Sequence, residues 1–194
     1  FFEVGKEIYV SDNEKGLLKL KNNALVPVEN GQKFVGMQIR KIFQTKNGLL
    51  VLTQKNGLFT FNENQIKPFA TEVDYLLKQN QISAGIGLSD GYFGIGTRQS
   101  GLIVIDSAGH LIQHIDKQMG LQNEYVTNFK IDKEGNLWMS TYHGISRFNP
   151  KTNTFRNFGV TDGLQGNQFS WNSGTKLSTG EFIFGGINGF NVFK

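Results

Sequence analysis

The chain has 194 residues, 38% of them apolar, with 24 glycines, 17 phenylalanines, no cysteine and a formal net charge of +4. This composition excludes a disordered chain, disulfides, thiolate metal sites and a cysteine nucleophile. The 20 basic residues are scattered rather than clustered, which argues against a nucleic-acid stripe, and no apolar run is long enough to span a membrane.

The N-terminus, Phe1-Phe2-Glu3, has neither an initiator methionine nor the basic region of a secretory signal, so the chain reads as a piece of a longer protein. Phe1–Val4 fits an innermost strand, and "EIYVSDNEKGLLKL" supplies two more around a long turn. The next stretch is clearer: "IRKIFQ", "LLVLT", "LFTF" and "QIKPF" are short strand-like runs parted by glycine and asparagine turns. "TEVDYLLKQNQ" (Thr71–Gln81) is the best helical candidate, a single short turn in a connection. Strands resume with "AGIGLS", "YFGIGT", "LIVI" and "HLIQHI", then "TNFKID", "NLWMST", "ISRF" and "TFRNF", then "GTKLS", "EFIFGG" and "FNVF".

These runs repeat. Gly16, Gly57, Gly101, Gly144 and Gly189 each precede a large apolar residue, at intervals of 41, 44, 43 and 45. Gly48, Gly91, Gly135 and Gly180 keep the same beat at 43, 44 and 45. A period near 43 with four short strands per unit predicts an all-β fold of β-propeller blades, each four-stranded and antiparallel. Five units fit, at about 1–36, 37–80, 81–124, 125–167 and 168–194, and the last ends after its third strand. That ragged end predicts an arc of a larger propeller, of the seven-bladed type, rather than a closed ring. Gly85, Gly87, Gly94 and Gly96, inside strands, are expected at crowded positions near the axis.

Several residues invite a chemical reading and lose it in context. "GIGTRQSG" (Gly94–Gly101) looks phosphate-binding, but a strand follows where a helix N-terminus is needed. His110 and His114 share one face only on a helix, and here they flank an outer strand as a surface pair, so neither metal nor cofactor is expected. Asp106, Asp116 and Asp132 fall at turns or strand ends of different blades, with no facing pair for glycoside hydrolysis, so the chain is read as non-enzymatic. Trp138 is expected in the core, whereas Trp171 fits either the core or the axial mouth.

Propellers take ligands at the connections between blades and at the turns between second and third strands. The first group here offers Asn123, Tyr125, Asn167 and Trp171; the second offers Arg98, Gln99, Tyr142, His143 and Asn188. Aromatic plates beside forked polar groups suit a sugar, whose ring has a C–H face and a rim of hydroxyls. Any one of these residues also fits an ordinary solvated turn.

"VTNFKIDKEGNLWMSTYHGISRFNPKTNTFRNFGVTDGLQGN" (Val126–Asn167) resembles the two-component regulator propeller repeat, and Gly120-Leu121-Gln122-Asn123 repeats its last element. "GEFIFGGINGFNVF" (Gly180–Phe193) is similar to the final blade of such propellers. The resemblance implies an extracytoplasmic, periplasmic sensor in a membrane-anchored protein, with no membrane contact of its own. It implies as partners the rest of the propeller, a following triple-tyrosine domain after Lys194 and, in hybrid members, a histidine kinase. An oligosaccharide or other small ligand and a homodimer are consistent with it. A protein-binding scaffold is the alternative, and a propeller lyase or glycosidase a third.

Overall fold

Alternating apolar residues parted by glycine turns give short antiparallel strands, and the computed structural model of the chain describes residues 1–62 and 65–193. Lys194, the expected junction with a following domain, lies outside the described residues. The chain divides into two units, Phe1–Ile82 with Ala108–His110, and Ser83–Ser107 with the residues from Leu111 on.

The first unit holds two four-stranded sheets. One runs β1 (Phe2–Val4), β2 (Glu7–Asp12), β3 (Gly16–Lys21) and β4 (Ala24–Pro27), in sequence order. The other runs β5 (Ile39–Thr45), β6 (Gly48–Thr53), β7 (Gly57–Asn62) and β8 (Gln65–Phe69). They share one core, with Tyr9, Leu17 and Phe34 packed among Ile42, Leu49, Val51 and Ile66. The helical candidate is a true helix, α1 (Asp74–Asn80), anchored by the fully buried Leu77. At two turns it is too short to show a periodic pattern. Asp74 fixes its start, accepting hydrogen bonds from the backbone N–H and the hydroxyl of Thr71.

The second unit holds three sheets. The first has β9 (Ile82–Gly87), β10 (Phe93–Thr97), β11 (Leu102–Ile105) and β12 (Leu111–Ile115). The second has β13 (Val126–Ile131), β14 (Leu137–Thr141), β15 (Ile145–Asn149) and β16 (Thr154–Phe158). The third has three strands, β17 (Phe169–Lys176), β18 (Phe182–Gly186) and β19 (Gly189–Phe193). The architecture is all-β and each sheet is a propeller blade, numbered one to five along the chain.

Within this unit, neighbouring blades bury one another's faces. Ala84, Leu102, Val104 and Ile115 of blade three meet Phe129, Leu137, Met139 and Phe148 of blade four. Trp138 and Ile145, on the other face of blade four, meet Phe169, Phe182 and Phe184 of blade five. Trp138 is 8% exposed, as expected of a core residue. Its ring stacks on Phe158 at 5.5 Å and lies 5.5 Å from Phe193.

The strand glycines divide. A Cβ on Gly96 would sit 2.9 Å from the Phe129 ring, and one on Gly94 2.9 Å from Ile86. The crowding comes from side chains packed on the sheet. Gly87 corrects the expectation, because a Cβ there would meet nothing within 4 Å. The histidine pair is also corrected: His110 is exposed, but His114 is half-buried with its Nε2 3.0 Å from the Ser100 hydroxyl.

Candidate functional site

The two kinds of loop singled out in the sequence meet through backbone hydrogen bonds. Gly101 N–H, in the β10–β11 turn, donates to Glu124 O in the connection to blade four. Gly144 N–H, in the β14–β15 turn, donates to Asn167 O in the connection to blade five. Tyr142 N–H donates to Tyr125 O at 3.0 Å. Each connection is thus hooked to the neighbouring turns, and a layer of fixed loops forms at this end of the strands.

In blades two, three and four the turn is built by a threonine that ends the second strand. Thr53, Thr97 and Thr141 are fully buried, and their hydroxyls donate to Gly57 O, Gly101 O and Gly144 O at 2.7, 3.1 and 2.9 Å. Thr97 Oγ1 also accepts from Ser100 N–H, and Thr141 Oγ1 from His143 N–H. Gly144 needs its left-handed φ of 86°, and a Cβ there would strike Phe158 O. The connections are clamped as well. Leu121 and Leu164 are buried; Gln122 N–H donates to Ser146 Oγ, and Gln165 N–H to Asn191 Oδ1. Asn157 Nδ2 and Asn191 Nδ2 then tie down Gly120 O and Gly163 O. The repeated Gly-Leu-Gln element is therefore a structural clamp.

On this frame the structure joins three predicted residues. The rings of Tyr125 and Tyr142 stack at 5.3 Å with an 11° interplanar angle. The Arg98 guanidinium lies 5.4 Å from the Tyr125 ring centroid. Such a cation–π contact is worth about 0.5–1 kcal/mol at an exposed site. Asn123 positions Tyr125 by accepting its N–H at 2.9 Å. Tyr142 remains 48% exposed, and His143 and Gln99 beside the cluster are exposed too. Among the described residues, Arg98 Nε is buried without a hydrogen-bond partner.

Other predicted residues have different surroundings. Asn167 is exposed, with its carbonyl committed to Gly144. Asn188 is exposed, and its N–H donates to Gln165 Oε1. Trp171 is not in the core: it is 42% exposed, and its indole N–H donates to Ser83 O at 2.6 Å.

At the opposite end of β14 lies a crevice of about 280 Å³ that sequence reading missed, lined among others by Asp132, Lys133, Trp138, Arg147 and Phe182. Asp132 accepts from Asn136 N–H and Nδ2, from Glu134 N–H and from the Trp138 indole, and Arg147 Nε stands 3.7 Å away. Partial burial opposes its ionisation, but the bonds from Trp138 and Asn136 and the Arg147 charge outweigh it, holding its pKa below the ordinary carboxylate range. The hairpin consumes this carboxylate, leaving little for chemistry.

The model of the two component regulator propeller family matches residues 120–143, the stretch that carries Tyr125, Tyr142 and His143. The chain thus contains a segment similar to the two-component regulator propeller repeat. It is 26% identical over 193 residues to Histidine kinase P4 of Formosa agariphila, covering 99% of this chain and 13% of the kinase. Among solved structures it is similar to the extracellular domain of a protein assigned as a hybrid two-component system of B. thetaiotaomicron. There the TM-score is 0.72 at 17% identity, over 98% of this chain and 27% of that one. A second such extracellular domain, assigned to a one-component system of the same organism, gives a TM-score of 0.68 at 14% identity, over 100% of this chain and 30% of that one. At these identities the solved structures establish the propeller fold.

Proposed function

We propose that this chain is the ligand-sensing part of an extracytoplasmic propeller in a longer membrane signalling protein of the two-component type. The observation that carries the reading is the Arg98–Tyr125–Tyr142 cluster, an aromatic stack with a cation set on loops that hydrogen bonds hold rigid. The exposed Tyr142 face, with His143 and Gln99 beside it, suits an oligosaccharide, which offers C–H faces to the ring and hydroxyls to the polar rim. Binding biases one arrangement of propeller, following triple-tyrosine domain or paired protomers, and so passes the signal on.

The longer protein also supplies a neighbour for blade five. Ile183, Phe190 and Val192 occupy the register positions that Trp138, Ile145 and Arg147 hold in blade four. Blade five covers that face of blade four, while Phe190 is 65% exposed. A further blade of the same polypeptide covers it in this reading; a protein partner there is the second reading, that of an interaction scaffold. The test is a thermal-shift screen of the full-length protein against cello-, laminari-, malto-, manno- and xylohexaose and oligogalacturonate. A sugar that stabilises the wild type and not Tyr142→Ala supports the sensor reading. No stabilisation, with concentration-dependent association that Phe190→Ser abolishes, supports the scaffold.

A further inference from the structure

The innermost strands of the blades are not alike. In β5 and β13 the pairing slips by a single residue near the start, between Ile39 and Lys41 and between Val126 and Asn128. In β17 Phe169 pairs with Gly186 and Gly174 with Phe184, so five steps on β17 match two on β18. The surplus forms a wide bulge, Ser170–Ser173. It is built rather than frayed: Ser173 Oγ lies at hydrogen-bond distance from both Ser170 O and Gly185 O, at 2.7 and 2.8 Å. Asn172 takes a left-handed φ of 55°, a conformation that asparagine tolerates better than most residues.

The bulge displays one large side chain, Trp171, which its indole N–H pins to Ser83 O in β9. Ser83 is buried and its hydroxyl donates to Val126 O in β13 at 2.5 Å. One chain of bonds thus links the innermost strands of blades three, four and five, and reaches the residue next to Tyr125. A half-exposed indole with its only N–H already committed has no donor to offer a ligand. What it offers is a ring face held in place, at little cost in conformational freedom on binding.

We propose that Trp171 is a stacking platform for a ring of the sugar ligand, and that its bond to Ser83 transmits occupancy to the innermost strands of blades three and four. This rests on the sensor reading above and adds to it the ring-stacking residue and the route of coupling. The platform needs an aromatic ring, whereas the route needs the indole N–H, so two substitutions separate them. Trp171→Phe keeps a ring and loses the bond; Trp171→Ala loses both.

The experiment is calorimetry on the full-length protein with the six oligosaccharides of the screen, followed by hydrogen exchange of β9 and β13 with and without sugar. The expected result is that Trp171→Ala weakens binding about tenfold, the scale of one good aromatic contact, while Trp171→Phe stays within about threefold. Sugar is expected to slow exchange in β9 and β13 of the wild type and to lose that effect in Trp171→Phe. Equal loss of affinity in both variants, or none in either, overturns the platform. Unchanged protection in Trp171→Phe overturns the route. Either result alongside weakened binding by Tyr142→Ala leaves the sensor reading standing; no binding of any sugar by the wild type brings both down.

Discussion

Trp138 and Trp171 belong to successive blades of one repeat, yet they meet opposite surroundings. Trp138 sits on the face of blade four that blade five covers, with aromatic rings around it and its N–H on a carboxylate of its own hairpin. Trp171 sits on the bulge of an innermost strand, half in solvent, with its N–H on the backbone of another blade. In a repeat fold, the position within the unit decides whether an aromatic is packed between blades or left half in solvent.

The largest expected effect breaks the covered side of this comparison. Trp138→Ala removes the ring that joins blades four and five and is expected to cost about 3–5 kcal/mol, read as a fall in the urea midpoint. Trp171→Ala in the same assay is expected to cost about 1 kcal/mol, the worth of one hydrogen bond. Equal losses would erase the distinction.

Asp132 sharpens the point, because it holds the Trp138 indole. Its folded-state pKa lies below the unfolded value, so its contribution is complete above the unfolded carboxylate pKa and fades as pH falls through the folded one. Asp132→Asn is expected to cost about 2 kcal/mol at neutral pH and to flatten the loss of stability in acid. Parallel acid profiles for variant and wild type would show that another carboxylate dominates.

Thr141 tests the frame of the loops. Thr141→Val deletes the buried hydroxyl that bonds Gly144 O and His143 N–H. A cost of about 1–2 kcal/mol and faster amide exchange across Tyr142–Gly144 are expected. The smallest effect belongs to the uncovered face of blade five. Phe190→Ser is expected to change the stability of this chain by less than about 0.5 kcal/mol, whereas Phe184→Ala, in the interface with blade four, costs about 3–5 kcal/mol.

The fold was open to sequence reading because its signals are local and repeated. The glycine beat marks the turns, the apolar alternation marks the strands, and Trp138 follows from its place in the unit. The loop face was legible as a set of positions, since Arg98, Tyr142 and Tyr125 occupy the loops a propeller uses. Their stacking was not legible, because it depends on how far each connection reaches over the next turn, which no local pattern encodes. The β17 bulge was hidden for a similar reason: extra residues in "NQFSWNSGTK" could lengthen the loop or the strand, and only the pairing with β18 decides. The crevice beside Arg147 went unseen because two turns distant in sequence, at Lys133 and Gly180, form it together.

The most direct test of a ligand face at the Arg98–Tyr125–Tyr142 end is one calorimetric series on the full-length protein, with the sugar that the screen selects. Tyr142→Ala alters the loop end of β14, and Arg147→Ala alters the crevice at its other end. Binding is expected to weaken about tenfold or more in the first and to stay unchanged in the second. Full affinity in Tyr142→Ala, with binding lost in Arg147→Ala, would contradict that placement and move the sensing site to the opposite turns.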